Sequence, residues 1–291
     1  MPERILVTGA TGFVGKKLVE KLSESYALRI VTRRSIQSFQ NKANIESVKI
    51  SDISHCDWHP LLQEVDYVVH CAGMAHQSNI KAKEELWRTN VYATARLAEA
   101  CAQLKIKRFI FMSSIKVLGE ETLRIPFNHL SSPNPQDLYG KSKWAAEKKI
   151  HQLQDLNWVV LRPTLIYSVY PKGNLKLLLK LIKLNIPLPF KKINNQRSII
   201  SLDNLINYIV LCLSHPKLRH QTFLCADKKP LSTFDIIELI AADHKLKASV
   251  FYCPKNVIMF FAKLLGLQNS IKKMTSSLVV DASYTDNFLK K

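Results

Sequence analysis

An α/β fold built on a doubly wound parallel sheet is predicted by three features of the chain. Short apolar runs alternate with helical patterns from the N-terminus onward. The runs are apolar at consecutive positions, as strands covered on both faces are. The first run leads through clustered glycines into the first helical pattern.

The elements follow in order. Residues 4–7 read as the first strand, and Val14, Leu18, Val19 and Leu22 have helical spacing. Strands are predicted over 27–32, 48–50, 67–70 and 108–112, with one long helix over 84–104 between the last two. The pattern loosens after residue 165, which divides a dinucleotide-binding domain over 1–165 from a smaller substrate cap over 166–291. The chain is expected to cross back to the sheet near 198–225.

Composition narrows the class. With 291 residues, 47% hydrophobic and 22% charged, the chain has material for a full core, which excludes wholesale disorder. Its six cysteines, Cys56, Cys71, Cys101, Cys212, Cys225 and Cys253, include no CxxC pair, so a disulfide framework or zinc ribbon is not expected. His55, Cys56 and His59 cluster with no acidic or thiol partner placed to complete a metal site and read as a surface loop, so no metal is expected. No basic segment followed by a long apolar one opens the chain, and the apolar stretch 257–267 is too short to span a bilayer; a cytoplasmic protein is expected. Forty-two basic against 23 acidic residues give +19, a field that favours anionic partners. Residues 157–202 hold no acid at all.

Gly9, Gly12 and Gly15 stand in TGATGFVG, between the first strand and the first helix. Glycine lets a backbone approach a ligand closely, and the following helix offers free N–H groups and a positive dipole end, which together make a diphosphate site. The second strand ends in Arg33 and Arg34, where an acid would accept a ribose 2′-hydroxyl. Arginine forks onto phosphate, so NADP(H) is preferred, with NAD(H) as the alternative.

Tyr139 and Lys143, four apart in LYGKSKWAAE, share one helical face. A neighbouring ammonium favours the phenolate, so the pair is suited to moving a proton near neutral pH. With nine tyrosines in the chain such a spacing arises by chance. It gains weight from following the fifth strand, whose end, FMSSIKVLGE, offers a hydroxyl from Ser114 or its neighbour Ser113.

The GxxGxxG spacing resembles the short-chain dehydrogenase/reductase superfamily and its extended branch, the nucleotide-sugar epimerases, dehydratases and reductases. That resemblance implies a Rossmann-type sheet. Ser114 becomes the working hydroxyl of a Ser-x-x-Val-x-Gly pattern completed by Val117 and Gly119, beside the catalytic Tyr139 and Lys143. It implies cofactor contacts from Gly9, Thr11, Gly12, Phe13, Val14, Gly15, Arg33, Arg34, Asp52, Ile53, Cys71, Ala72, Gly73, Asn90, Tyr139, Lys143 and Pro163. Asp52 resembles the residue on the adenine amino group, and Asn90 the one that braces the active site. Substrate contacts are implied for Ser114, Tyr139, Asn174 and Arg197, the last two on a nucleotide diphosphate-sugar. His76 is a further candidate to touch substrate, whereas His70 is expected to pack.

SDIS-x-x-x-W, HCAGMAH, SSIKVLGE, YGKSKW, PLPF and NNQRS resemble bacterial 4-ketoreductases acting on UDP-4-keto-6-deoxy-N-acetylhexosamine, which form UDP-N-acetylquinovosamine for surface polysaccharides. Departures are Leu118 in place of a more polar residue, Ser168 in place of a glycine, and an end at NFLKK rather than a Gly-Trp tail. The resemblance implies an NADPH-dependent C4 reductase. The rivals are a UDP-hexose or UDP-N-acetylhexosamine 4-epimerase with tightly held NAD and a non-catalytic dinucleotide-sensing regulator. A homodimer through helices 84–104 and 138–152 is implied as well, with no nucleic-acid partner. Lys176, Lys180 and Lys183 form one stripe of a leucine-rich helix, a solvated edge or a weak contact with an anionic membrane surface.

Overall fold

The computed structural model describes residues 2–33, 39, 42–74 and 80–289, the side chains of 80–82 excepted. Among these residues the strands are β1 (Arg4–Thr8), β2 (Ala27–Thr32), β3 (Ile45–Lys49), β4 (Tyr67–His70), β5 (Arg108–Met112), β6 (Trp158–Pro163), β7 (Leu165–Tyr167), β8 (Ile199–Ser201) and β9 (Gln221–Cys225). Seven of them form one parallel sheet in the order β3-β2-β1-β4-β5-β6-β9, and β7 pairs with β8 in a separate two-stranded sheet. The helices are α1 (Phe13–Leu22), α2 (His59–Leu62), α3 (Ile80–Trp87), α4 (Ala93–Gln103), α5 (Leu138–His151), α6 (Gly173–Lys183), α7 (Leu202–Ser214), α8 (Thr233–Asp243), α9 (Lys255–Leu264), α10 (Gln268–Thr275) and α11 (Ser283–Leu289). The expected Rossmann-type α/β architecture is the observed one.

The strand side chains alternate between two cores, because successive residues of a strand point to opposite faces. Ile5 and Val7 of β1, Ile110 and Met112 of β5, and Val159 and Leu161 of β6 pack with α1, α7 and α11. Leu6, Phe109, Phe111 and Val160 face the other way, toward α4 and α5. Apolar strands buried on both faces are therefore the direct cause of the double winding. A third cluster joins Leu175, Leu178, Leu179 and Ile182 of α6 to Ile236, Ile237 and Ile240 of α8 and Ile258 of α9.

Three expectations change. The long helix over 84–104 is α3 and α4 separated by a π-helical turn over Arg88–Tyr92, whose wider spacing turns Asn90 wholly inward. The third strand is Ile45–Lys49, placed by its register on β2 rather than by its weak apolar pattern. The return to the sheet over 198–225 is followed by a second one: α11 packs Leu289 into the first core, and Tyr208 donates to Asp286 at 2.6 Å. Of the six free cysteines four are buried, but Cys71 and Cys253 are only half-buried. Among the described residues no helix is long and apolar enough to cross a membrane.

β1 pairs with β2 on one side and β4 on the other. The winding reverses there, so a crevice opens beyond the ends of Thr8 and His70.

Candidate active site

The turn after β1 is shaped by contacts that admit no side chain. Gly9 has φ +72°, and a Cβ on it would lie 2.6 Å from the Ala72 nitrogen; a Cβ on Gly15 would lie 2.1 Å from the Gly9 carbonyl oxygen. Gly12 caps α1 with no side-chain hydrogen bond, and the first turn of α1 carries no acid. Its N–H groups and positive end are thus left to an anionic ligand.

The loop after β4 closes the other side. His70 is fully buried, bonded to Thr8 Oγ1 (2.7 Å) and Thr94 Oγ1 (2.8 Å) and stacked on Phe111, and burial pushes its pKa down to about 3. It packs, as expected. Asn90 Oδ1 accepts from the Met74 N–H (2.8 Å), and its Nδ2 donates to the Met74 carbonyl (2.9 Å) and to Ser142 Oγ (3.0 Å). That side chain ties the loop to α5.

Both sides meet in one cavity of about 600 Å³. Of the expected cofactor residues, Gly9, Gly12, Phe13, Val14, Gly15, Cys71, Gly73, Tyr139, Lys143 and Pro163 line it, and Ser114, Asn174 and Arg197 line it from the expected substrate side. Thr11, Arg33, Asp52, Ile53, Ala72 and Asn90 do not. Thr11 and Arg33 are exposed, Ile53 packs beside the second core, and the Ala72 N–H donates to Thr8 Oγ1 (3.2 Å). Asp52 caps a 3₁₀ turn by accepting from the Ser54 N–H (2.9 Å), which with Arg88 at 3.6 Å holds its carboxyl below the usual range. Arg34 and His76 lie outside the described residues.

Asp137 caps α5 by accepting from the Gly140 N–H at 2.7 Å, and one turn of helix then carries Tyr139 and Lys143. Ser114 ends the segment after β5 half-buried and faces the cavity. Ser113 lines the same cavity, but its Oγ donates to the buried Glu147 carboxylate. Lys143 Nζ donates to the Met112 carbonyl (2.9 Å) and sits 4.6 Å from the Phe111 ring centre and 5.9 Å from that of Tyr139. Burial pulls its pKa down to about 8. The expected lowering of Tyr139 is reversed. Burial, with the Asp137 charge adding to it, pushes the phenol up to about 12, because an ammonium at 5.9 Å and bonded elsewhere returns less than desolvation takes.

Sequence reasoning missed a chain of charges on the substrate side. Lys116 Nζ pairs with Asp137 and, at 3.3 Å, with Glu120, and Lys273 Nζ reaches Glu120 at 3.2 Å. Lys116, Glu120, Lys172 and Lys273 all line the cavity. The i, i+4 spacing of Lys116 and Glu120 was the available signal; nothing local marks Lys273. Arg197 Nη1 donates to the carbonyls of Lys273 (2.6 Å) and Ser276 (3.0 Å), and burial lowers its pKa.

Residues 5–225 match the model of the NAD dependent epimerase/dehydratase family. A UDP-glucose 4-epimerase from Vibrio cholerae is 36% identical over 99% of this chain and 90% of its own. An N-acetyl-α-D-glucosaminyl-diphospho-ditrans,octacis-undecaprenol 4-epimerase from Escherichia coli is 24% identical over 87% of this chain and 76% of its own. Among solved structures, the UDP-glucuronic acid 4-epimerase from Bacillus cereus in complex with NAD superposes with a TM-score of 0.81, at 22% identity over 99% of this chain and 92% of that one.

Proposed function

The chain belongs to the NAD dependent epimerase/dehydratase family, and from that premise we propose that it is a UDP-sugar 4-epimerase that retains NAD(H). The observation that carries this reading is the 36% identity, over nearly the whole chain, to a UDP-glucose 4-epimerase. It reverses the ranking drawn from the short motifs, which put a reductase first.

The residues fit the dinucleotide. The cradle that a Cβ on Gly9 or Gly15 would fill, and the uncapped first turn of α1, suit its diphosphate. Cys71, Gly73 and Lys143 would hold the nicotinamide half. When bound, the nicotinamide supplies the reversible two-electron acceptor at the sugar C4. Tyr139 would take the proton of the C4 hydroxyl as a phenolate and give it back, Ser114 would hydrogen-bond the same oxygen, and Lys143 stands 5.9 Å from the phenol ring without offsetting the burial that holds the phenol protonated. Asn174 and Arg197 would grip the diphosphate.

The test is incubation of the purified protein with UDP-glucose or UDP-N-acetylglucosamine and no added dinucleotide. Appearance of the C4 epimer by NMR is the expected result. A second reading, reduction of a UDP-4-keto-6-deoxy-N-acetylhexosamine by NADPH, is favoured by Arg33, which stands exposed past β2 where an acid would select NAD. NADPH oxidation with that ketone, and no epimer in the first assay, decides for it.

A further inference from the structure

We propose that the exposed face of α9 is a docking surface for an anionic lipid bilayer. Val257, Phe260, Phe261 and Leu264 follow at i, i+3, i+4 and i+7, and the last three are 60%, 56% and 67% exposed. Leu265 and Leu267 extend the face through the turn at Gly266 (φ +68°) that joins α9 to α10. Ile258 and Ala262, on the opposite side of α9, are buried. The core is therefore served by one side of the helix, and a second apolar side is turned to solvent. Scattered exposed leucines need no explanation, but a contiguous aromatic and aliphatic stripe at helical spacing marks a contact surface.

The charge around it identifies the partner. Residues 244–280 contain six lysines and no acid; Lys272 and Lys273 pair with Glu121 and Glu120, which leaves Lys245, Lys247, Lys255 and Lys263 to the field around α9. Lys255 and Lys263 lie exposed on α9 itself. Just before α9, exposed Tyr252 stacks under Lys192, 5.4 Å from Nζ to the ring centre. Phenylalanines and leucines bordered by lysines are the composition of a helix that lies in a membrane interface, rings among the acyl chains and ammonium groups among anionic headgroups. A second copy of the chain fits less well. A two-fold contact would set these lysines against one another with no acid within 244–280 to pair them. The lysines of α6, Lys176, Lys180 and Lys183, are exposed too and add to the same field.

The test is co-sedimentation of the full chain with phosphatidylglycerol/phosphatidylcholine vesicles and with pure phosphatidylcholine vesicles at low salt. Binding is expected to the anionic vesicles alone and to fall at high salt. Lys255→Gln with Lys263→Gln should weaken it on the order of tenfold, and Phe260→Ser with Phe261→Ser should abolish it. Both variants should keep the wild-type melting temperature, since these side chains leave the core untouched. No sedimentation at low salt overturns the proposal. So does concentration-dependent self-association that the phenylalanine variant abolishes while vesicle binding persists, which would give the face to a second copy.

Discussion

Arg162 holds Glu147 from behind the candidate active site, with Nη2 2.5 Å from Oε2 and Nε 3.1 and 3.2 Å from the two carboxylate oxygens. The Glu147 side chain is fully buried and that of Arg162 nearly so. The pair fastens α5, which carries Tyr139 and Lys143, to β6, and Ser113 joins it from the end of β5. Removing one partner would leave a buried charge without its counterion, which costs about 3–5 kcal/mol. Arg162→Met should lower the urea-unfolding free energy by that amount, and adding Glu147→Gln should recover part of it. If the double variant is no more stable than the single one, the cost lies in packing and not in the stranded carboxylate.

Tyr139→Phe, which removes one hydroxyl from a half-buried side chain, should keep the fold and lose turnover. Removing a positioned proton carrier lowers the rate on the order of 10² to 10⁴. Ser114→Ala removes one hydrogen bond to the same oxygen and should cost less. Single-turnover kinetics on both variants, beside an unchanged circular dichroism spectrum, checks the pair; a Tyr139→Phe enzyme with wild-type turnover would sink the assignment.

Much of this was legible in sequence, for identifiable reasons. Ile5–Leu6–Val7 is apolar at consecutive positions because each residue is buried, on alternate faces, so the class of sheet shows locally. Gly9 and Gly15 show as well, because close backbone approaches forbid any other residue. The brace made by Asn90 was legible as a residue but not as a geometry, since a π turn inside an otherwise helical pattern has no periodicity of its own. The electrostatics were not legible. The 5.9 Å between the Lys143 ammonium and the Tyr139 ring, and the burial of both groups, are tertiary facts that an i, i+4 spacing does not contain. Glu120–Lys273 joins residues far apart in the chain, and only the fold brings them together.

Arg33 separates the two cofactor choices. It is exposed and lies outside the cavity wall, so under the epimerase reading Arg33→Ala should change turnover less than about threefold. Perchloric-acid extracts of the purified protein should release NAD rather than NADP. A charge-assisted hydrogen bond to a 2′-phosphate contributes roughly 1.5–3 kcal/mol. A ten- to hundredfold loss of NADPH affinity in the variant would therefore move the assignment to the reductase.

His70 gives the chain a definite acid sensitivity. Its pKa is about 3 in the folded protein against 6.5 unperturbed, because a charged imidazole would be fully buried and the Lys143 ammonium opposes it as well. Between those values the unfolded chain binds the proton and the folded one does not, so stability falls as pH falls. The contribution is intact above about pH 6.5 and shrinks by about 1.4 kcal/mol per pH unit below it, or about 2 kcal/mol by pH 5. His70→Gln cannot titrate. It should be less stable at pH 7, where it gives up bonds to Thr8 and Thr94, but its stability should decline less steeply between pH 6.5 and 5. Urea unfolding of both proteins across that range, compared as a difference, removes the carboxylates common to the two. A difference that stays constant from pH 7 to 5 would mean that His70 takes up its proton without opening the fold, against the burial that the Thr8 and Thr94 bonds describe.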